Sequence, residues 1–245
     1  MSDKKYVVVP FYNEHNRINT KYLNNLISNK NISYIFVDDG SIDQTLEDLN
    51  LFNDVTVLTY KKNRGKAEAV RFGVNWIFEN DKNENILISY LDSDGAFDIK
   101  DVNNQLENFD TITNNNGVDA IFSSRVKLAG RNIVRNEFRH LISRVLITIF
   151  GFFNKKIPYD TQSGFKVFKI NKNSRIIFQE GFKTRWFFDI EILLRFKVKL
   201  NRTMLIWEEP LGAWADVKGS RIKGLEFVRI FKEIFIIIKL LREGS

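Results

Sequence analysis

Short apolar runs alternate with stretches of helical spacing along the chain. Tyr6-Val7-Val8-Val9-Pro10 predicts a first buried strand, closed by Pro10, which lacks the N–H a ladder needs. Ile18, Tyr22, Leu23, Leu26 and Ile27 share one helical face between Arg17 and Ser28. Tyr34-Ile35-Phe36-Val37 predicts a second strand, Asp43 a helix cap with the helix running through Leu51, and Val55 to Thr59 a third strand. Asn63-Arg64-Gly65-Lys66 opens a helix that carries Ala69, Val70, Phe72, Gly73, Trp76 and Ile77. Ile86 to Leu91 is a fourth apolar run, followed by a helix over Val102 to Phe109. Ala120 to Phe122, Phe165 to Phe168 and Thr203 to Trp207 predict further strands. Such alternation predicts an α/β fold, with a mostly parallel sheet covered by helices on both faces.

Three of these strands end in polar clusters: Tyr12 to Glu14, Asp38-Asp39 and Asp92 to Asp94. In an open parallel sheet the three ends lie on one edge, where ligands bind. Asp92 and Asp94 are separated by one residue and repel each other unless a cation or several donors compensate. Mg²⁺ or Mn²⁺ suits such a pair, because hard cations take oxygen ligands from one or two carboxylates plus substrate phosphates. The plainer alternative is a polar turn after a strand. The Asn63–Lys66 turn, with a glycine and two cations, approaches phosphate in one reading and holds a solvated helix-start lysine in the other. Neither G-x-G-x-x-G nor G-x-x-x-x-G-K-[ST] occurs, so a nucleotide here is held by metal and side chains.

Composition narrows the chemistry. The 245 residues suffice for one large α/β domain. The absence of cysteine excludes disulfides, thiolate metal sites and a cysteine nucleophile, and two histidines, His15 and His140, argue against a His-rich metal centre. The formal charge of +7 points to an anionic partner: nucleic acid, an anionic membrane surface or phosphorylated substrates. Arg125, Lys127, Arg131, Arg135, Arg139 and Arg144 crowd one stretch. There Phe138, Leu141, Ile142, Val145, Leu146, Ile149 and Phe150 fall at helical spacing, an amphipathic helix over about 135–153. A second such helix covers about 224–242, with Phe227, Ile230, Phe231, Ile234, Phe235 and Ile238 as its stripe. Each lies in a bilayer interface in one reading and packs on the domain in the other. The aromatics sit on the helical apolar face rather than interleaved with arginines on a sheet or groove, which disfavours nucleic acid as partner. No run reaches the roughly 18 apolar residues of a membrane span, and no leader-like segment opens the chain. The expectation is a cytoplasmic protein, peripheral on the cytoplasmic face of a membrane.

Several blocks in register carry a resemblance. Val9-Pro10-Phe11-Tyr12-Asn13-Glu14, Val37-Asp38-Asp39-Gly40-Ser41, Asn63-Arg64-Gly65-Lys66 and Asp92-Ser93-Asp94-Gly95 resemble the GT-A family 2 glycosyltransferases. Ser123-Ser124-Arg125, Asp160-Thr161-Gln162-Ser163-Gly164-Phe165-Lys166, Arg185-Trp186-Phe187-Phe188-Asp189-Ile190-Glu191 and Gly219-Ser220-Arg221 resemble the dolichyl-phosphate glucosyltransferase branch of polyprenyl-phosphate glycosyltransferases.

The resemblance implies a Rossmann-like GT-A catalytic domain over 1–222, followed by a C-terminal amphipathic helix over 223–245. It implies inverting transfer of a hexose, with UDP-glucose the favoured nucleotide-sugar donor, to a polyprenyl-phosphate acceptor. Pro10, Tyr12, Glu14 and Asp39 would hold base and ribose. Asp92 and Asp94 would hold the metal against the diphosphate, with Asp94 the catalytic ligand. Lys66, Gln162, Lys218 and Arg221 would complete the donor site. Arg125 and Arg139 would bind the acceptor phosphate, which arginine meets bidentately.

A phosphate acceptor is already ionised and needs alignment, not a base. A sugar hydroxyl, as in lipid-linked or capsular polysaccharide assembly, would need Asp189 or Glu191 as general base. Mannosyl relatives place glutamine two residues after the second Asp. Here that residue is Ala96, as in the glucosyl branch.

Overall fold

The computed structural model describes residues 3–134, 148, 151, 158–215 and 232–240. Its frame is a seven-stranded sheet. The strands are β1 (Lys4–Phe11), β2 (Ile32–Asp38), β3 (Val55–Thr59), β4 (Asn85–Leu91), β5 (Ala120–Ser124), β7 (Phe165–Asn171) and β8 (Ile206–Pro210), in the order β3-β2-β1-β4-β7-β5-β8. Every pairing is parallel except those of β7, which lies antiparallel between β4 and β5. A two-stranded parallel sheet pairs β6 (Asn132–Val134) with β9 (Ala213–Ala215), and Phe97 bridges to Trp214 beside it.

The period-2 alternation of the strands divides the core between the two faces. Tyr6, Val8, Ile35, Val37, Ile86, Ile88 and Tyr90 point to one face. There they meet α3 (Lys66–Asn80), a 3₁₀ turn (Ser174–Phe178) and α6 (Phe188–Leu200). Val7, Val9, Phe11, Tyr34, Phe36, Leu87 and Leu91 point to the other. That face is covered by α1 (Thr20–Ile27), α2 (Thr45–Leu49), α4 (Ile99–Glu107) and α5 (Phe109–Ile112). Residues buried on both sides explain the unbroken apolar runs of the central strands.

Helix boundaries shift where local polar groups decide them. The first helix starts at Thr20 rather than Arg17, because Asn19 caps it by accepting from the Tyr22 amide at 3.0 Å. Arg17 belongs to a separate turn closed on the Glu14 carbonyl. The expected helix over Val102–Phe109 begins earlier, at Ile99, on an Asp98 cap, and breaks at Asn108 into α4 and α5. The last expected strand runs Ile206–Pro210, in place of Thr203–Trp207.

The basic segment over 135–153 lies outside the described residues apart from 148 and 151. Of the tail, residues 232–240 are helical and pack on the start of α6, where Ile237 is buried against Phe187, Ile190 and Leu194. Among the described residues, no helix is long and apolar enough to cross a membrane.

Candidate active site

The C-terminal ends of β1, β2 and β4 meet on one edge of the sheet. After β1, Tyr12 is exposed and Asn13 adopts a left-handed conformation (φ 51°). The Asn13 amide donates to Ser41 Oγ (3.0 Å), and its side-chain oxygen accepts from the Ile42 amide (3.0 Å). The Glu14 amide donates to Thr45 Oγ1 (2.8 Å). The loops after β1 and β2 are thereby laced together. Burial pushes the Glu14 carboxyl above its ordinary range, the ion pair with Arg17 at 2.5 Å offsets part of this, and Asp94 and Asp43 add to the rise. Pro10 stands in β1 opposite Val37.

Asp39 is buried and saturated. Its carboxylate accepts from Tyr60 Oη (2.5 Å), Asn63 Nδ2 (2.8 Å) and the amides of Arg64 (2.8 Å) and Gly65 (2.7 Å). One carboxylate thus shapes the whole turn that launches α3. Gly65 caps that helix at φ +95°, and the Arg185 guanidinium occupies the space where a Cβ would stand. Arg185 also donates to Asn63 Oδ1 at 3.0 Å.

The pair after β4 is built by β7. The Asp92 amide donates to the Gly164 carbonyl at 3.0 Å, and Gly164 packs so closely that an added Cβ would strike the Asp92 carboxylate. Lys66 forms an ion pair with Asp92 Oδ1. Asp94 is exposed, and its Oδ1 accepts from the Ala96 amide at 3.1 Å. Two carboxylates on one short turn suit Mg²⁺ or Mn²⁺, which take only one or two protein carboxylates and complete their shell with phosphate oxygens and water. Among the described residues there is no group of three or more metal-ligating side chains that would offer a rival centre.

Beneath this pair runs a column of alternating charge. Lys66 lies 5.4 Å from the Tyr90 ring and 5.9 Å from the Phe188 ring. Burial pulls its ammonium down, but the charges of Asp92 and Asp189 outweigh burial and raise it overall. Asp189 receives the Tyr90 hydroxyl and, at 3.1 Å, the fully buried ammonium of Lys166. Lys166 also donates to the Ser163 carbonyl at 2.5 Å. Burial lowers Lys166 despite Asp189, and Lys66 lowers it further. Asp189 lies in the first turn of α6, whose N-cap, Phe187, supplies no side-chain cap.

Glu191 is equally committed. It accepts from the amides of Lys183 (3.0 Å) and Thr184 (2.9 Å), from the Thr184 hydroxyl (2.9 Å), and from Arg195 Nε and NH2 (3.1 and 2.8 Å). Arg125 shares its fork with Asp160 (2.8 and 2.7 Å) and lies over the Trp214 ring at 4.9 Å. Gln162 stands between Asp160 and Gly164, half-buried. Arg139, Lys218 and Arg221 lie outside the described residues.

The structure thus gathers Tyr12, Glu14, Asp39, Lys66, Asp92, Asp94 and Asp189 around one edge of the sheet, and adds Lys166 and Asp160. A signal for Lys166 exists in the sequence, since it interrupts the apolar run that opens β7, where Phe165, Val167 and Phe168 flank it. Its partner, 23 residues further on, does not show in any pattern.

This architecture is the GT-A fold of glycosyltransferases, as expected. Glucosyl-3-phosphoglycerate synthase from Mycobacterium tuberculosis, solved with Mn²⁺, UDP and glucosyl-3-phosphoglycerate, superposes with a TM-score of 0.64 at 16% identity, over 99% of this chain and 80% of that one. TarS from S. aureus in complex with UDP-GlcNAc gives 0.54 at 16% identity, over 96% and 66%. These likenesses concern the fold. In sequence, residues 6–173 match the model of Glycosyl transferase family 2, and the chain belongs to that family. It is 30% identical to the dolichyl-phosphate beta-glucosyltransferase of Dictyostelium discoideum over 236 residues (88% of this chain, 68% of the relative). It is also 30% identical to that of Homo sapiens over 257 residues (91% and 74%).

Proposed function

We propose that this family 2 glycosyltransferase moves glucose from UDP-glucose to the phosphate of a polyprenyl lipid at an anionic membrane face. The observation that carries the choice of acceptor is the engagement of both candidate bases. Asp189 holds the Lys166 ammonium and the Tyr90 hydroxyl, and Glu191 holds two amides, a hydroxyl and Arg195. A hydroxyl acceptor needs a carboxylate poised to take its proton. A phosphate acceptor brings its own charge and needs only alignment. The similarity to dolichyl-phosphate beta-glucosyltransferases supports the same acceptor and a glucose donor.

In this reading Asp92 and Asp94 hold Mg²⁺ or Mn²⁺. That ion supplies Lewis-acid stabilisation of the departing diphosphate. The chain's own residues do the rest. Tyr12 and Glu14 border the base and ribose. Asp39 acts through the turn it shapes, fixing the Asn63–Lys66 backbone. Lys66 places a cation against Asp92 and orients it. A phosphate oxygen of the acceptor attacks the anomeric carbon as the bond to the UDP oxygen breaks, UDP leaves with the electron pair, and the configuration inverts. A phosphate that meets Arg125 meets a guanidinium already balanced by Asp160, so Arg139, Lys218 and Arg221 carry the remaining anion binding. The +7 charge favours an anionic surface, and such binding weakens with salt.

The test of the acceptor uses matched lipids, a polyprenyl phosphate and the corresponding polyprenol, each offered with UDP-glucose. Transfer to the phosphate alone is expected. Transfer to the free alcohol, or to a sugar hydroxyl in its place, returns Asp189 to the role of base and refutes this reading.

A further inference from the structure

The C-terminal helix at 232–240 reaches the framework of the site through one buried carboxylate. Glu233 is 4% exposed, and its Oε2 accepts from the amides of Trp186 (2.8 Å) and Phe187 (3.4 Å). Those groups stand at the N-terminus of α6, whose own cap residue supplies no side-chain acceptor. A carboxylate there meets donors that have no partner within the helix and the positive end of the helix dipole. Ile237, fully buried, packs beside it on Phe187, Ile190 and Leu194, with Trp186, Ile234 and Leu240 around them. Val198, near the far end of α6, is 53% exposed.

The segment held in this way carries much of the site. Arg185 presses on Gly65 and donates to Asn63, which in turn donates to Asp39. Phe188 lies against Lys66 and Tyr90. Asp189 takes Tyr90 and Lys166. A chain of contacts therefore runs from Glu233 through Trp186-Phe187 to Arg185 and the Asn63–Lys66 turn on one side, and to Asp189 on the other.

We propose that Glu233 is a positioning residue. From the C-terminal helix it fixes the Arg185–Asp189 segment, and through Arg185 the Asn63–Lys66 turn, in the arrangement that sugar transfer uses. The kinetic consequence rests on the glycosyltransferase reading above; the structural consequence does not.

The test compares Glu233→Ala and Glu233→Gln with Val198→Ala as control, using amide hydrogen exchange and steady-state kinetics on the full chain. Loss of a charge-assisted bond is expected to raise local opening roughly ten- to a hundredfold. In Glu233→Ala, exchange should rise at residues 185–190 and also at 63–66, which the Arg185–Asn63 bond ties to that segment. Turnover should fall about tenfold, with KM for UDP-glucose within about threefold, as displacement of reacting groups rather than lost donor binding predicts. Glu233→Gln should recover part of both effects, because its amide oxygen still accepts. Val198→Ala should match the wild type.

Unchanged exchange at 63–66 in Glu233→Ala, or wild-type turnover in the folded variant, overturns the proposal. If Glu233→Ala does not fold, Glu233→Gln and Ile237→Ala carry the same comparison. A wild type that transfers sugar from no donor refutes the reaction, while the exchange at 63–66 still decides whether Glu233 positions that turn.

Discussion

Gly164→Ala tests whether the Asp92 carboxylate is held where a metal needs it. A methyl group at residue 164 would overlap the carboxylate carbon and Oδ2 at separations below any real Cβ contact, and would crowd Oδ1. The backbone of Gly164 is pinned by the 3.0 Å bond from the Asp92 amide and enters β7 at once, so it cannot retreat. The side chain must yield instead, and reaching ordinary van der Waals contact takes a displacement on the order of 1 Å. Leaving its rotamer costs about 0.5–1.5 kcal/mol, and overpacking of this kind typically destabilises by about 1–3 kcal/mol. The fold survives such a loss. The reaction suffers more, since a displacement of about 1 Å lowers rates roughly a hundredfold.

The assay has three parts: urea unfolding, calorimetric binding of UDP with and without Mn²⁺, and glucose transfer. The expected result is a modest loss of stability, loss of the Mn²⁺-dependent part of UDP binding, and about a hundredfold fall in kcat/KM. Adding Asp92→Ser should restore stability without restoring metal-dependent binding, because the two changes touch and so do not add. Gly164→Ala protein with wild-type metal-dependent binding and turnover would show that the contact with Gly164 does not set the position of the Asp92 carboxylate.

Asp94→Ala should abolish transfer with either metal while leaving the urea midpoint nearly unchanged, since Asp94 is exposed. Glu191→Ala should destabilise by roughly 3–5 kcal/mol in urea, because it leaves Arg195 buried without its carboxylate. The folded fraction should still turn over, and complete loss of turnover in folded protein would make Glu191 the base. Burial acts to raise Asp43 and Asp81, but Thr45 and the His15 amide hold Asp43 below the ordinary 3.8, and Asn83, Tyr6 and Lys4 hold Asp81 below it. A depressed carboxylate contributes stability that is complete above the unfolded pKa and is lost as pH falls through the folded one. The excess of the wild-type urea midpoint over that of Asp81→Asn should therefore be complete well above pH 3.8 and shrink as pH falls below it.

The strands were legible because each central one is buried on both faces and so reads as an unbroken apolar run. Their polar ends, at Tyr12, Asp39 and Asp92, were legible for the same reason: the change from apolar to acidic marks the sheet edge. The direction of β7 was not, since a buried strand has the same pattern whichever way it runs. β6 and β9, three residues each, are too short for any period to show. Helix ends followed Asn19 and Asp98 rather than the apolar stripe. At the site, residue types pointed to the acidic turn, but partnership lies in three dimensions. Asp189 and Glu191 look alike two residues apart on one helix. Only the fold shows one facing Tyr90 and Lys166 and the other turned to Thr184 and Arg195.

The most direct measurement is transfer of label from UDP-glucose to a polyprenyl phosphate in detergent, with Mg²⁺ or Mn²⁺, against EDTA and against GDP-mannose as donor. Metal-dependent label is expected in an organic-extractable lipid from UDP-glucose, with none in EDTA and little from GDP-mannose. Metal-dependent binding of UDP-glucose with no labelled lipid would rule out a polyprenyl phosphate as the acceptor.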